Sequence, residues 1–157
     1  MVIAVVNEGE GVFTPEGLEL VRWLTREVRK VPGIDPERVR SLATENDVVG
    51  TSEGFYVEPF FQRPPDDQAG ADLVREAVMD FPLYRGSLVS EDGRGTLIVA
   101  ELLDAWQKRG DEVYRDLMEL AERAPAGGAR LHVAGQGAVS GYLSTYIDRD
   151  GRRTNIL

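Results

Sequence analysis

A single histidine, His132, and the lack of any cysteine limit the chemistry this chain can perform. An ordinary zinc site takes three or four nitrogen or sulfur ligands, so one imidazole without thiolates cannot build one. His132 also lacks a nucleophile at a recognisable spacing for acid–base work. It lies between Leu131 and Val133 in an apolar run, where strand alternation turns its side chain away from theirs, so it reads as a structural or surface histidine. Gly135-Gln-Gly137-Ala-Val-Ser-Gly141 follows a predicted strand and opens a predicted helix, the setting in which backbone N–H groups cradle a phosphate. Its spacing is GxGxxxG, however, and only residues 142–157 follow. That leaves no room for the second strand and the ribose-binding acid of a dinucleotide site, and the segment reads as a tight strand-to-helix turn.

The carboxylates are equally unspecific. Asp148-Arg-Asp150-Gly151 starts like a calcium loop, but its glycine is the fourth residue where the loop needs it sixth, and no glutamate closes it. Glu91-Asp92-Gly93 reads as turn chemistry, with glycine supplying positive φ at a hairpin tip. Glu45, Asp47, Glu53 and Glu58 could pair as general acid and base, yet their linear spacing does not make them converge. The chain is therefore expected to be no enzyme and to hold neither metal nor cofactor. What remains is aromatic. Phe55, Tyr56, Phe60 and Phe61, with Phe81 and Tyr84, gather around one stretch of sequence. As core residues they need no further account. As a partly exposed patch, Phe55, Tyr56, Phe60 and Phe61 would contact a lipid-like ligand or a neighbouring domain.

Positioning such a patch requires a folded body, and the composition supplies one. The 157 residues are 42% apolar and 29% charged, an ordinary globular balance. One domain of this size hides roughly 70% of its unfolded surface. The net charge of −9, from 27 acids against 18 bases, repels phosphate backbones and argues against nucleic acid as a partner. Arg152-Arg153 is too small a basic cluster to reverse that. The apolar start Met1-Val-Ile-Ala-Val-Val6 is too short for a signal peptide or a bilayer span, and no other segment approaches the length of a membrane helix, so the chain as given is expected to be soluble.

Val2 to Val6 reads as a buried strand. Thr14-Pro-Glu starts a helix whose Leu18, Val21, Leu24 and Val28 share a face, and Val31-Pro-Gly33 stops it. Arg38 to Thr44 alternates as a half-buried strand. Two short strands follow about a Thr51-to-Gly54 turn, and Pro64-Pro-Asp-Asp67 leads into a helix with Leu73, Val74, Ala77 and Val78 predicted inward. Ser87-Leu-Val-Ser90 and Thr96 to Ala100 flank the Glu91–Gly95 turn as a hairpin, whose second arm is a strand over about 95–103. A helix from Gly110 buries Val113, Leu117, Leu120 and Ala124. Residues 129–134 form a last strand, and a final helix is predicted over about 138–148. The order is βαβ, an insertion over about 46–94, βαβ and a helix. This is an α+β fold: a ferredoxin-like split βαβ sandwich with a hairpin and helix inserted, predicted as one domain over 1–157.

Several short blocks occur in an order that resembles a known family. They are Val12-Phe-Thr-Pro-Glu-Gly-Leu18, Val31-Pro-Gly-Ile-Asp35, Arg38-Val-Arg-Ser-Leu42, Glu58-Pro59, Pro82-Leu-Tyr-Arg-Gly-Ser-Leu-Val-Ser-Glu-Asp-Gly-Arg94 and Val133-Ala-Gly135. Together, over about residues 3–150, they are similar to the large extracytoplasmic loop of resistance-nodulation-division (RND) transporters, in the MMPL-type predicted exporter branch. The resemblance implies a porter subdomain excised from a multi-pass protein of the inner membrane, on its periplasmic face. It implies proton-driven export of hydrophobic or lipid-like substrates, with the proton coupling in membrane helices that this chain lacks. The implied partners are the equivalent porter subdomain and the membrane helices of the parent, and a homo-oligomeric parent is compatible with it. From residues alone, a free-standing ferredoxin-like ligand-sensing or interaction module, dimerising through its sheet, is the alternative. A nucleotide-dependent enzyme using Gly135 to Gly141 is the third.

Overall fold

Val2–Val6 (β1) consists of five apolar residues, all of them buried, and it forms the middle of a sheet. In the computed structural model, which describes residues 1–135, β1 is hydrogen-bonded on both sides. On one side it pairs antiparallel with Gly95–Leu102 (β5), with Val2 opposite Val99 and Val6 opposite Gly95. On the other it pairs antiparallel with Arg130–Ala134 (β6), with Val2 opposite Ala134 and Val6 opposite Arg130. Ile34–Arg40 (β2) lies antiparallel on the far edge of β5, giving the order β2-β5-β1-β6. A strand flanked on both edges leaves no unpaired ladder groups, which is why a run of valine and isoleucine without a polar face can be its centre.

Two helices complete the split βαβ units. Pro15–Val28 (α1) connects β1 to β2. Thr14 caps it, its hydroxyl accepting from the Gly17 amide at 2.9 Å, with Pro15 in the first turn and Glu16 near the positive end of the dipole. Leu18, Val21, Leu24 and Val28 are buried, as their helical spacing predicts. Gly110–Arg123 (α3) connects β5 to β6 and buries Val113, Leu117 and Leu120. A Cβ on Gly110 would come within 4 Å of the side chains of Met1 and Leu102, which places the start of α3 on the sheet face that carries Met1, Ile3, Ile98 and Leu102. The α1 and α3 helices also contact each other, so both cover that face. The ferredoxin-like topology expected from the order of elements is the one observed.

The insertion between β2 and β5 carries Asn46–Thr51 (β3), Gly54–Pro59 (β4) and Gln68–Met79 (α2). Three details differ from the sequence reading. Leu73 is 68% exposed, because Ala71, Val74 and Val78 define the inward stripe of α2 and a helical residue next to Val74 is turned about 100° from it. β2 ends at Arg40, where the sequence placed a strand over Arg38 to Thr44. The Ser41 amide donates to the Thr44 hydroxyl at 2.9 Å and the Thr44 hydroxyl donates to the Ser41 carbonyl at 3.0 Å, local bonds that turn the chain out of the ladder. Finally, Ser87 to Ser90 is not a full hairpin arm. β2 occupies the outer edge of β5 only over Val99 to Leu102, and the short remainder is filled by single bridges, with Val89 opposite Thr96, Leu97 donating to Leu88 O and Ser90 to Gly95 O. The space left on that edge, not the propensity of the segment, limits its length.

Buried polar groups are satisfied: among the described residues no buried side-chain nitrogen or oxygen lacks a partner. Thr25 on α1 and Ser41 after β2 share a buried hydroxyl–hydroxyl bond of 2.7 Å that ties the helix to the end of its strand. Two loop positions are equally constrained. Gly33 has φ +94°, and a Cβ there would lie 2.6 Å from Trp106 Cε3, in the layer where Arg109 covers the Trp106 ring at 3.8 Å. Gly33→Ala is therefore expected to cost roughly 2–4 kcal/mol, read from urea unfolding, through left-handed strain plus overpacking. At the turn before β5, partial burial opposes ionisation of Asp92. The Ser90 hydroxyl, the Arg94 amide and the Arg94 guanidinium outweigh it and hold the carboxyl below its ordinary value. A depressed carboxylate stabilises the fold above the unfolded-state value of about 3.9 and stops doing so as pH falls through the folded-state value. Asp92→Asn is thus expected to lower the urea midpoint at neutral pH, with the difference from wild type vanishing as the solution is acidified through that range.

Candidate functional site

β3 and β4 form a two-residue-turn hairpin with Val48 opposite Val57 and Gly50 opposite Phe55. Gly54 supplies the extended positive φ of +140° that closes the turn, and the Thr51 hydroxyl donates to Gly54 O while accepting from the Glu53 amide. The two strands pair only with each other, and every residue of β4 is exposed. Because residues directly opposite share a face, Val48, Phe55 and Val57 form one apolar surface, exposed by 48%, 74% and 57%. Tyr56 lies on the other face with Val49, Asp47 and Glu58.

The base of the hairpin is the opposite environment. Phe60 and Phe61 follow β4 directly and are both buried, Phe60 at 8% exposure. Phe60 meets Tyr84 edge-on at 5.5 Å and Phe81 edge-on at 6.3 Å, while Phe81 and Tyr84 stack at 4.9 Å. The Phe60 amide donates to Glu45 O, and the Glu45 carboxylate pairs with Arg40 at 2.8 Å. Burial raises the Tyr84 phenol above its ordinary pKa; the Glu45 charge adds to the shift and Arg40 opposes it. Phe60 and Phe61, expected to be partly exposed, are instead the residues that fasten the hairpin to the body. The four predicted contact residues thus divide: Phe55 and Tyr56 on the arm, Phe60 and Phe61 in its root. The period-two pattern of β4 ends at Pro59, and a strand that leaves its ladder to re-enter the core buries whatever comes next.

The candidate acids separate as well. Glu45 is committed to Arg40, and Glu53 is at the turn, while Asp47 and Glu58 face each other across the ladder. Among the described residues no group of three or more histidine, cysteine, aspartate or glutamate side chains could hold a metal ion. His132 sits half-buried in β6, opposite Ala4. Gly137 and Gly141 of the glycine motif, Asp148 to Gly151 and the helix predicted over 138–148 lie outside the described residues.

A cleft away from the hairpin was not anticipated. A cleft of about 620 Å³ opens at the β2–β5 edge, between Arg38, Arg40, Val99, Glu101 and Leu103. Arg38 Nη1 donates to Glu101 Oε2 at 2.8 Å, and that bond with the attraction of Glu101 and Asp35 raises the guanidinium above its ordinary pKa. Part of the signal was in the sequence: Glu101 is the one charged residue in the run Thr96 to Leu103, which marks where a strand meets solvent but not the partner it meets there.

The MMPL family model matches residues 22–157. The chain belongs to the MMPL family. No curated protein matches it significantly. MMPL membership makes this chain part of a transporter of the RND/MMPL type, and the match runs from within α1 through the hairpin, α2, β5, α3 and β6. Among the described residues no helix is long and apolar enough to cross a membrane.

The division between arm and root gives opposite expectations for two phenylalanines. Phe60→Ala is expected to lose about 3–5 kcal/mol of stability by emptying the aromatic cluster. Phe55→Ser is expected to stay within about 0.5 kcal/mol of wild type. Thermal and urea unfolding of the two variants side by side reads both.

Proposed function

We propose that this MMPL-family chain is the extracytoplasmic porter domain of a proton-driven exporter of hydrophobic or lipid-like molecules. The observation that carries this reading is the MMPL match, which takes in β2, β5 and β6 of a split βαβ sheet together with the anchored hairpin that presents bare apolar surface. A porter domain acts as a rigid wall of the substrate path. The four-stranded sheet and the helices packed against it supply the rigidity, since β1 is hydrogen-bonded on both edges and covered. Such a body moves as a unit against the equivalent subdomain and the membrane helices of its parent, opening and closing the path without reactive chemistry of its own. Proton movement belongs to ionisable groups within those membrane helices. Phe55 and Tyr56 are the residues best placed to meet substrate or partner.

The test uses the intact parent transporter cleared of its other cysteines, since this domain contributes none. With Phe55→Cys introduced, a membrane-impermeant maleimide is expected to label intact cells, and collapsing the proton gradient is expected to stop efflux of a fluorescent lipid analogue. Labelling only after the inner membrane is broken would overturn the extracytoplasmic placement. Efflux that survives an uncoupler would overturn the energy source.

A further inference from the structure

We infer that the β3–β4 hairpin is a docking arm for a polypeptide surface with an apolar floor and a basic rim. The inference rests on the contact role proposed above for Phe55, and on nothing else in the transport reading.

An isolated two-stranded hairpin is marginal in water, and this one has no third strand. Exposed edge strands are usually protected by lysine, proline or inward charges. Residues 46–59 contain no lysine and no arginine, and their one proline, Pro59, is the last residue of β4, at the root and away from the tip. Instead, Val48, Phe55 and Val57 present a continuous apolar face on an arm whose root is fixed by Phe60 and Phe61. The anchor lowers the ordering cost of a contact at the tip, because the arm is already held in place before anything binds.

Charge identifies the occupant. The hairpin bears Asp47, Glu53 and Glu58 and no base, and among the described residues none of the three is in an ion pair. Asp47 and Glu58 are directly opposite in register. Like charges so placed weaken a hairpin, and cationic groups brought to that face would relieve the repulsion while the other face is buried. A second copy of the same arm would add to the repulsion, as would any anionic lipid surface, against a chain whose net charge is already −9. Complementary charge and apolar contact are met together by a protein groove edged with lysine or arginine.

A heptapeptide alternating lysine and valine serves as the probe, titrated into the isotopically labelled full chain at low salt, with an alternating glutamate–valine heptapeptide as the control. Amide shifts are expected to be confined to residues 46–59. Phe55→Ser is expected to weaken binding roughly tenfold, and Glu58→Gln roughly threefold with a shallower salt dependence. Both positions are exposed, so melting temperatures no lower than that of wild type would show that loss of fold is not the cause. Equal binding of the glutamate–valine peptide, shifts spread over the acidic residues of α3 (Asp111, Glu112, Asp116, Glu119 and Glu122), or no effect of Phe55→Ser would overturn the inference. So would a Phe55-dependent dimer in sedimentation, which names a second copy, or Phe55-dependent binding to vesicles of phosphatidylcholine and phosphatidylglycerol, which names lipid. Any of these leaves the topology and uncoupler results for the parent untouched.

Discussion

Three aromatic rings join two parts of this molecule that have little else in common. Phe81 stacks on Tyr84, and Phe60 meets both edge-on. Phe60 ends the hairpin, Phe81 follows α2, and Tyr84 begins the segment that runs into β5. Such contacts add about 0.5–1.5 kcal/mol each beyond the area they bury. Beside them the root is held by buried Phe61, the Glu45–Phe60 backbone bond and the Arg40–Glu45 pair, and pairs that reach solvent contribute little.

The place where the insertion leaves and re-enters the core follows from the sheet itself. β2 bulges between Ile34 and Val39, a stretch that contains Pro36, and then turns away after Arg40. Its early departure leaves the first part of β5 without an edge partner. Leu88, Val89 and Ser90 fill that gap on the way back. The insertion is therefore closed at both ends by the same edge of the same strand, and the hairpin projects from a defined root. Substitutions at the root are matters of stability, and substitutions on the arm are matters of contact.

How much of this the sequence disclosed depends on whether the deciding signal was local. β1 was legible because five consecutive apolar residues have no polar side to show, and α1 because Thr14, Pro15 and Glu16 mark its start chemically. The ferredoxin-like order followed from the succession of elements. Leu73 was misplaced because a leucine beside Val74 fits a loosely drawn apolar stripe, and only packing against α1 chooses the face. Phe60 and Phe61 were misassigned for a related reason: four aromatics in seven residues look like one patch, while the strand ends between the second and the third. The confrontation of Asp47 with Glu58 needed the register of the hairpin, and the Arg38–Glu101 cleft needed the pairing of β2 with β5. Neither is visible in linear spacing.

The central claim is that a two-stranded arm stands free of the sheet and is held to it by Phe60. Amide hydrogen exchange of the full chain, wild type against Phe60→Ala, tests it most directly. Amides of β1 and β5 are expected to be the most protected, those of β3 and β4 markedly less so, and the substitution is expected to accelerate exchange in the hairpin and in residues 84–90 well before it reaches β1. Hairpin amides as protected as those of β1, or a substitution that opens β1 and the hairpin together, would contradict it.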